Sequence, residues 1–90
     1  MAPRITLNLT PGGELQIRLN EEGRDLFVRE LLALKPTSEH VHMGTYEGAE
    51  LRLSSRPYRS TDEIIHAAKV LFRLDEWDAQ YFPHVMVAES

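Results

Sequence analysis

His40 and His42 are the first residues of this 90-residue chain whose type and spacing could do chemistry. On a β-strand, residues i and i+2 point the same way, so both imidazoles could grip one metal ion. Zinc is the natural candidate for such a pair. A catalytic zinc needs three protein ligands and one open position. His84 or His66 could supply a third nitrogen, and Asp62, Asp75 or Asp78 a carboxylate. The His-x-His spacing fixes two ligands and selects no third. The same pair also fits the solvated face of a half-exposed strand, where an imidazole titrates near neutrality without any metal.

A second set lies near the C-terminus. Asp75, Glu76 and Asp78 flank Trp77, and an apolar neighbour can raise a carboxyl pKa toward acid–base use. Helix capping explains the same residues more simply, with Asp75 as N-cap and Glu76 in the first turn. No nucleophile elbow, phosphate-binding loop or Gly-rich dinucleotide loop is present, and Gly12-Gly13 reads as a turn. No catalytic residues are therefore assigned. Trp77, Tyr81 and Phe82, ringed by charge, have the make-up of interface anchors, or of rings that close a small core. Arg52, Arg56, Arg59, Lys69 and Arg73 form a basic middle with Tyr58 among them, a mixture that could stack and pair with RNA. The net charge of −4 opposes phosphate binding. Ion pairing with Asp75, Glu76 and Asp78, or with a carboxylate-rich partner protein, accounts for the basic residues as well. The partner-binding set is thus Trp77, Asp78, Tyr81, Phe82, Arg59 and Asp75, and the metal set is His40, His42 and His84.

These residues need elements to hold them. Ile5, Leu7 and Leu9 alternate with polar residues, as do Leu15, Ile17 and Leu19, around Pro11-Gly12-Gly13-Glu14. Two period-2 runs about such a turn predict a β-hairpin with its Leu and Ile side chains on one buried face. Asn20 is placed to N-cap a helix, with Glu21 and Glu22 in its first turn. Phe27, Leu31 and Leu34 form a stripe that can cover the hairpin, and Pro36 stops the helix near Lys35. Gly23 in the first turn makes the helix start less favourable. His40 to Met43 alternates again, and Leu51 and Leu53 do so after a turn bracketed by Gly44 and Gly48, which predicts a second antiparallel hairpin. Ser60-Thr61-Asp62-Glu63 matches a capping box ahead of an apolar helical stripe of Ile64, Ala68 and Leu71. Val70-Leu71-Phe72 could alternatively be a short strand. A short helical segment from Asp75 is stopped by Pro83. The expected fold is one α+β domain over residues 1–90. It is a two-layer sandwich with a four-stranded antiparallel sheet, helices on one face, in the order ββαββα plus a short helical tail.

Composition sets the class. Ninety residues with 42% apolar and 27% charged residues make one small globular domain with a modest core. There is no Cys, hence no disulfide framework or thiolate chemistry, which is compatible with a reducing compartment. No apolar run approaches the roughly 20 residues of a membrane span, and the N-terminus lacks the apolar core of a signal peptide. A cytoplasmic location and no membrane partner are expected.

Gly13-Glu14-Leu15, Leu31-Leu32 and His40-Val41-His42, set in a β-β-α start followed by a third strand, carry a resemblance. Over Ile5 to Tyr46 the chain resembles small bacterial α+β proteins grouped as immunity proteins of polymorphic toxin systems. The tail from Ser60 to His84 lies outside it. The resemblance implies a non-enzymatic protein that binds and neutralises a toxin. The leading expectation is a bacterial protein-binding protein without a required cofactor. A zinc-binding protein and an RNA-binding or regulatory module are the alternatives, and a homodimer stays open.

Overall fold

The computed structural model describes residues 2–88. The first hairpin forms as its alternation predicts. Strand β1 (Ile5–Leu9) pairs antiparallel with β2 (Leu15–Leu19), setting Ile5 opposite Leu19, Leu7 opposite Ile17 and Leu9 opposite Leu15. Its turn is closed by the Glu14 carbonyl accepting from Thr10 N–H. Gly13 sits at a φ of 88°, a left-handed conformation that glycine takes without steric cost. Helix α1 (Glu21–Leu32) starts where expected: Asn20 Oδ1 accepts the Gly23 N–H at 2.7 Å. The same oxygen accepts the Arg4 N–H at 2.9 Å, which ties the helix cap to the start of β1. The helix ends at Leu32 rather than near Lys35, because Lys35 bridges to Ser38 around Pro36 in a turn of its own.

The second half of the chain departs from expectation. Strand β3 (His40–Gly44) and β4 (Leu51–Arg52) run parallel, with Met43 beside Leu51, so they do not form a hairpin. The other edge of β3 is filled along all five residues by an antiparallel strand, β6 (Ala67–Leu71). The helix expected after Ser60 is absent, and its capping box does not form. Glu63–Ile64 is a two-residue strand, β5, paired with β1. The helical spacing of Ile64, Ala68 and Leu71 spans a change of sheet at Ile65–His66, and β-branched Ile64, Ile65 and Val70 favour extended backbone. Of the two readings of Val70-Leu71-Phe72, the strand is the one found. The fold is α+β, but with two three-stranded sheets, β2-β1-β5 and β4-β3-β6, in place of one four-stranded antiparallel sheet. The order is β-β-α-β-β-β-β-α, closed by helix α2 (Asp75–Tyr81) and a 3-10 turn at Pro83–Met86.

The two sheets meet at the second edge of β1. The Ile5 carbonyl accepts from Ser54 N–H at 2.8 Å, and the Leu7 carbonyl from Ile65 N–H at 2.9 Å. Between the sheets lies a core of Ile5, Leu7, Val41, Met43, Leu51 and Leu53, with Leu26, Phe27, Ile65, Ala68 and Val70 packed around it. Leu15, Ile17 and Leu19 share the Ile5/Leu7 face by register but stay 57%, 51% and 40% exposed, against the expectation that all six residues are buried. The reason is where α1 lies. Its first turn is held against the Arg4 backbone at Gly23, and it sends Leu26 and Phe27 inward while Leu31 stays exposed. A cleft lined by Ile17, Leu19, Glu21 and Arg24 remains between helix and β2.

Gly23 supplies a test of this placement. A Cβ there would collide with the Arg4 carbonyl oxygen, which is backbone and cannot swing away. Helix propensity alone favours Gly23→Ala by roughly 1 kcal/mol. The contact reverses that sign, and a net loss of about 1–3 kcal/mol, typical of overpacking, is expected in urea denaturation. A stabilised Gly23→Ala protein would mean that α1 does not start against β1.

Candidate functional site

The C-terminal segment is organised by Arg73. Its Nε and Nη2 donate to Asp78 Oδ1 at 2.9 and 2.7 Å. Its guanidinium carbon lies 5.5 Å from the centre of the Trp77 ring and 5.4 Å from that of Phe82, within cation–π range of both. Phe72 meets Trp77 edge to face at 6.3 Å. One cation thus gathers a carboxylate and two rings from α2 and its end. The helix begins at Leu74, whose carbonyl accepts from Trp77 and Asp78 N–H, and no side chain caps it. Asp75 therefore stands in the first turn, where it faces the positive end of the helix dipole, and is not the N-cap.

This geometry divides the residues proposed to bind a partner. Trp77 is half-buried in the Arg73 cluster, and Asp78 is already paired. Tyr81 and Phe82 are 66% and 47% exposed, and Val85, Met86 and Val87 past Pro83 are exposed as well. Helix α2 and the 3-10 turn pack mainly on each other, so the segment stands off from the sheets as an arm. Arg59 belongs elsewhere. It lies in the loop between β4 and β5, where its carbonyl accepts from Asp62 N–H, and it makes no hydrogen bond or ion pair with the arm.

The histidines are also divided. His40 and His42 do share the outer face of β3, with ring centres 4.9 Å apart and planes nearly perpendicular. Glu50 lies beside them: its Oε2 accepts the His42 backbone N–H at 2.8 Å and is 3.6 Å from His42 Nδ1. Hydrogen bonds from the backbone N–H groups of Glu50 and His42 hold the Glu50 carboxyl below the usual carboxylate range. His84 is in the arm against Phe82, and His66 pairs with Thr45 Oγ1 at 3.1 Å. Among the described residues, no three His, Cys, Asp or Glu side chains are grouped to hold a metal.

One cluster was not legible in the sequence. Thr6 and Asn8, polar partners in an alternating strand, are fully buried. The loop between β4 and β5 covers them. Asn8 Nδ2 donates to the buried Asp62 Oδ2 at 3.2 Å and to Gln16 Oε1 at 3.1 Å. Tyr58 stacks on Arg18, whose guanidinium carbon is 4.6 Å from the ring centre. A shallow cavity of about 350 Å³ opens beside it, lined by Arg4, Thr6, Ser54, Arg56 and Tyr58. Pro57 and Tyr58 in a segment without strand or helix pattern were the only signal that this loop lies down on the sheet.

No helix among the described residues is long and apolar enough to cross a membrane. Compared with known proteins, the chain matches no family model, no curated protein and no solved structure.

Two measurements check this geometry. Arg73→Ala should loosen the packing of Trp77 and Phe82 within the arm. Trp77 emission then shifts to the red and near-UV circular dichroism weakens, while far-UV dichroism from the sheets is kept. An unchanged Trp77 spectrum would remove Arg73 from its central place. Glu50 should titrate by NMR below the ordinary value of about 4.3. A folded-state pKa that is depressed stabilises the protein above the unfolded pKa, and the contribution fades as pH falls through the folded pKa. Glu50→Gln should therefore flatten the acid side of the stability profile; a profile unchanged by it would sink the assignment.

Proposed function

We propose that this is a small, non-enzymatic, cytoplasmic bacterial protein that works by binding another protein through its C-terminal arm. The observation behind this reading is the set of exposed apolar residues of the arm, Tyr81, Phe82, Val85, Met86 and Val87, next to the Arg73–Trp77–Asp78 cluster. Aromatic and Met side chains rimmed by charge are what protein interfaces place at their centres. The cluster holds Phe82 on a short, braced segment, so less side-chain freedom is lost when a partner closes over it. Asp75 and Glu76 give the arm's first turn a negative rim. That rim repels nucleic-acid phosphate and favours a basic protein surface. A toxin that is blocked by occlusion is a partner of this kind, in keeping with the resemblance of the N-terminal half. In this reading His40, His42 and Glu50 are a surface group and carry no zinc.

The test uses the protein that co-purifies with the full chain from a bacterial lysate, then measures the pair directly by calorimetry. Tyr81→Ala/Phe82→Ala should weaken binding by at least about 2 kcal/mol, the loss expected of hot-spot residues, with the melting temperature little changed. Asp75→Asn/Glu76→Gln should act chiefly on the association rate and reduce its salt dependence. His40→Ala/His42→Ala should leave affinity unchanged. Wild-type affinity in the Tyr81/Phe82 variant would discard the arm as the binding site.

A further inference from the structure

The free edge of β2 is a second surface, unrelated to the arm. In an antiparallel pair, alternate residues turn their N–H and C=O groups toward the partner strand. Hydrogen bonds from Thr10 to Glu14 and from Asn20 to Arg4 flank the β1–β2 ladder, so the even-numbered residues of β2 face β1. The odd-numbered residues of β1 face the other way, as Ile5 and Leu7 show by accepting from Ser54 and Ile65. The backbone groups of Leu15, Ile17 and Leu19 consequently point out of the sheet, whose order ends at β2. Their side chains are the exposed apolar row left beside the core. The strand has no Pro, no bulge and no Lys; its one charge, Arg18, alternates with the apolar row and is stacked on Tyr58.

We infer that this edge pairs with the same edge of a second copy, in an antiparallel two-fold arrangement centred on Ile17. The sequence of β2, Leu-Gln-Ile-Arg-Leu, repeats its pattern when read backward from Ile17. A two-fold axis there sets Ile17 against Ile17 of the second copy, Leu15 against its Leu19, and Gln16 against its Arg18. No two like charges face each other, and Gln16 and Arg18 are already hydrogen-bond partners within one chain. All three outward-facing residues become hydrogen-bonded pairs, and the two three-stranded sheets join into one of six strands. A two-fold interface must be self-complementary, and this strand is.

The surface of the single chain agrees. A folded monomer of 10.3 kDa exposes about 5,400 Å² on the usual size scaling, whereas this chain exposes 6708 Å². Its radius of gyration is 15.5 Å, against about 12 Å for a compact domain of this length. The arm accounts for part of the excess. The whole is larger than the roughly 800 Å² that each partner gives to a standard interface.

Sedimentation equilibrium on the full chain, together with three variants, tests the pairing. The wild type should run at twice 10.3 kDa at micromolar concentration, and Ile17→Lys at 10.3 kDa with its far-UV dichroism retained. The chain has no Cys, so single cysteines report register cleanly. Hydrogen-bonded antiparallel partners have Cα atoms about 5.5 Å apart, which a disulfide spans, so Ile17→Cys should oxidise to a covalent dimer. Leu15→Cys should not, because the two copies of residue 15 lie four positions out of register, about 14 Å apart. A wild type that is monomeric up to millimolar concentration overturns the proposal. So does a dimer that persists in Ile17→Lys, or one that crosslinks equally through positions 15 and 17. The cysteine comparison decides even if Ile17→Lys fails to fold.

Discussion

Strand β1 is the member on which the rest depends. One edge is paired with β2, and the other is divided between Ser54 at Ile5 and the β5 segment from Leu7 onward. One face gives Ile5 and Leu7 to the core, and the other puts Thr6 and Asn8 beneath the loop between β4 and β5. Four consecutive residues are therefore buried, which a strand achieves only when both its faces are covered. The constraint is one of backbone hydrogen bonding. With β2 on one side, every remaining N–H and C=O of β1 must find a partner in the second half of the chain. That requirement pulls Ser54 and Ile65 to the same edge and places the two sheets around a common core.

The parts that could be read in the sequence are those set by local chemistry. Alternation and a Gly turn gave the first hairpin, and Asn20 gave the start of α1. His40 and His42 do stand side by side because strand geometry puts them there. The parts that could not be read are set by partners distant in sequence. Nothing local to Leu51 says that it lies parallel to Met43, since direction depends on which edge of β3 is already filled by β6. Ile64, Ala68 and Leu71 match a helical stripe, yet β5 and β6 belong to different sheets. Nothing in the sequence marks Thr6 and Asn8 as buried, because alternation says which residues share a face and not what lies against it. In the arm, the sequence showed the clustering of Trp77, Asp78 and Phe82 and set Arg73 among the basic residues that could pair with its acids, but not that Arg73 alone gathers the carboxylate and both rings. Arg73 lies outside the helix, and its reach to Asp78 depends on the extended N-cap residue Leu74.

Burial is distributed unevenly for a chain of this size. Among the described residues, six apolar side chains are buried in the core, while all three apolar residues of β2, the outer side of α1 and much of the arm remain in water. A small domain has little stability to spare, so leaving this much apolar surface exposed weakens the driving force for folding. Where such surface is covered by association, part of the stability comes from binding and depends on concentration. The structure has two surfaces of this sort with different physical characters. The β2 edge offers an ordered row of backbone donors and acceptors, which demands a partner strand in fixed register. The arm offers side chains on a short helix, which demands a shaped pocket and tolerates a partner of unrelated fold.

These two demands do not compete. The β2 edge and the arm belong to opposite ends of the topology, since β2 closes the first sheet and the arm leaves β6, an edge strand of the second. Pairing through Ile17 would join the first sheets of two copies and leave both arms outside the joined sheet. If both proposals hold, a two-armed assembly follows, in which each arm would meet a partner separately or both would meet one partner that is itself two-fold. In the second case the second contact forms within the complex, at an effective concentration set by the spacing of the arms, and affinity rises without any new residue touching the partner. The edge then acts on function through geometry alone, by deciding how many arms are presented and how far apart they stand.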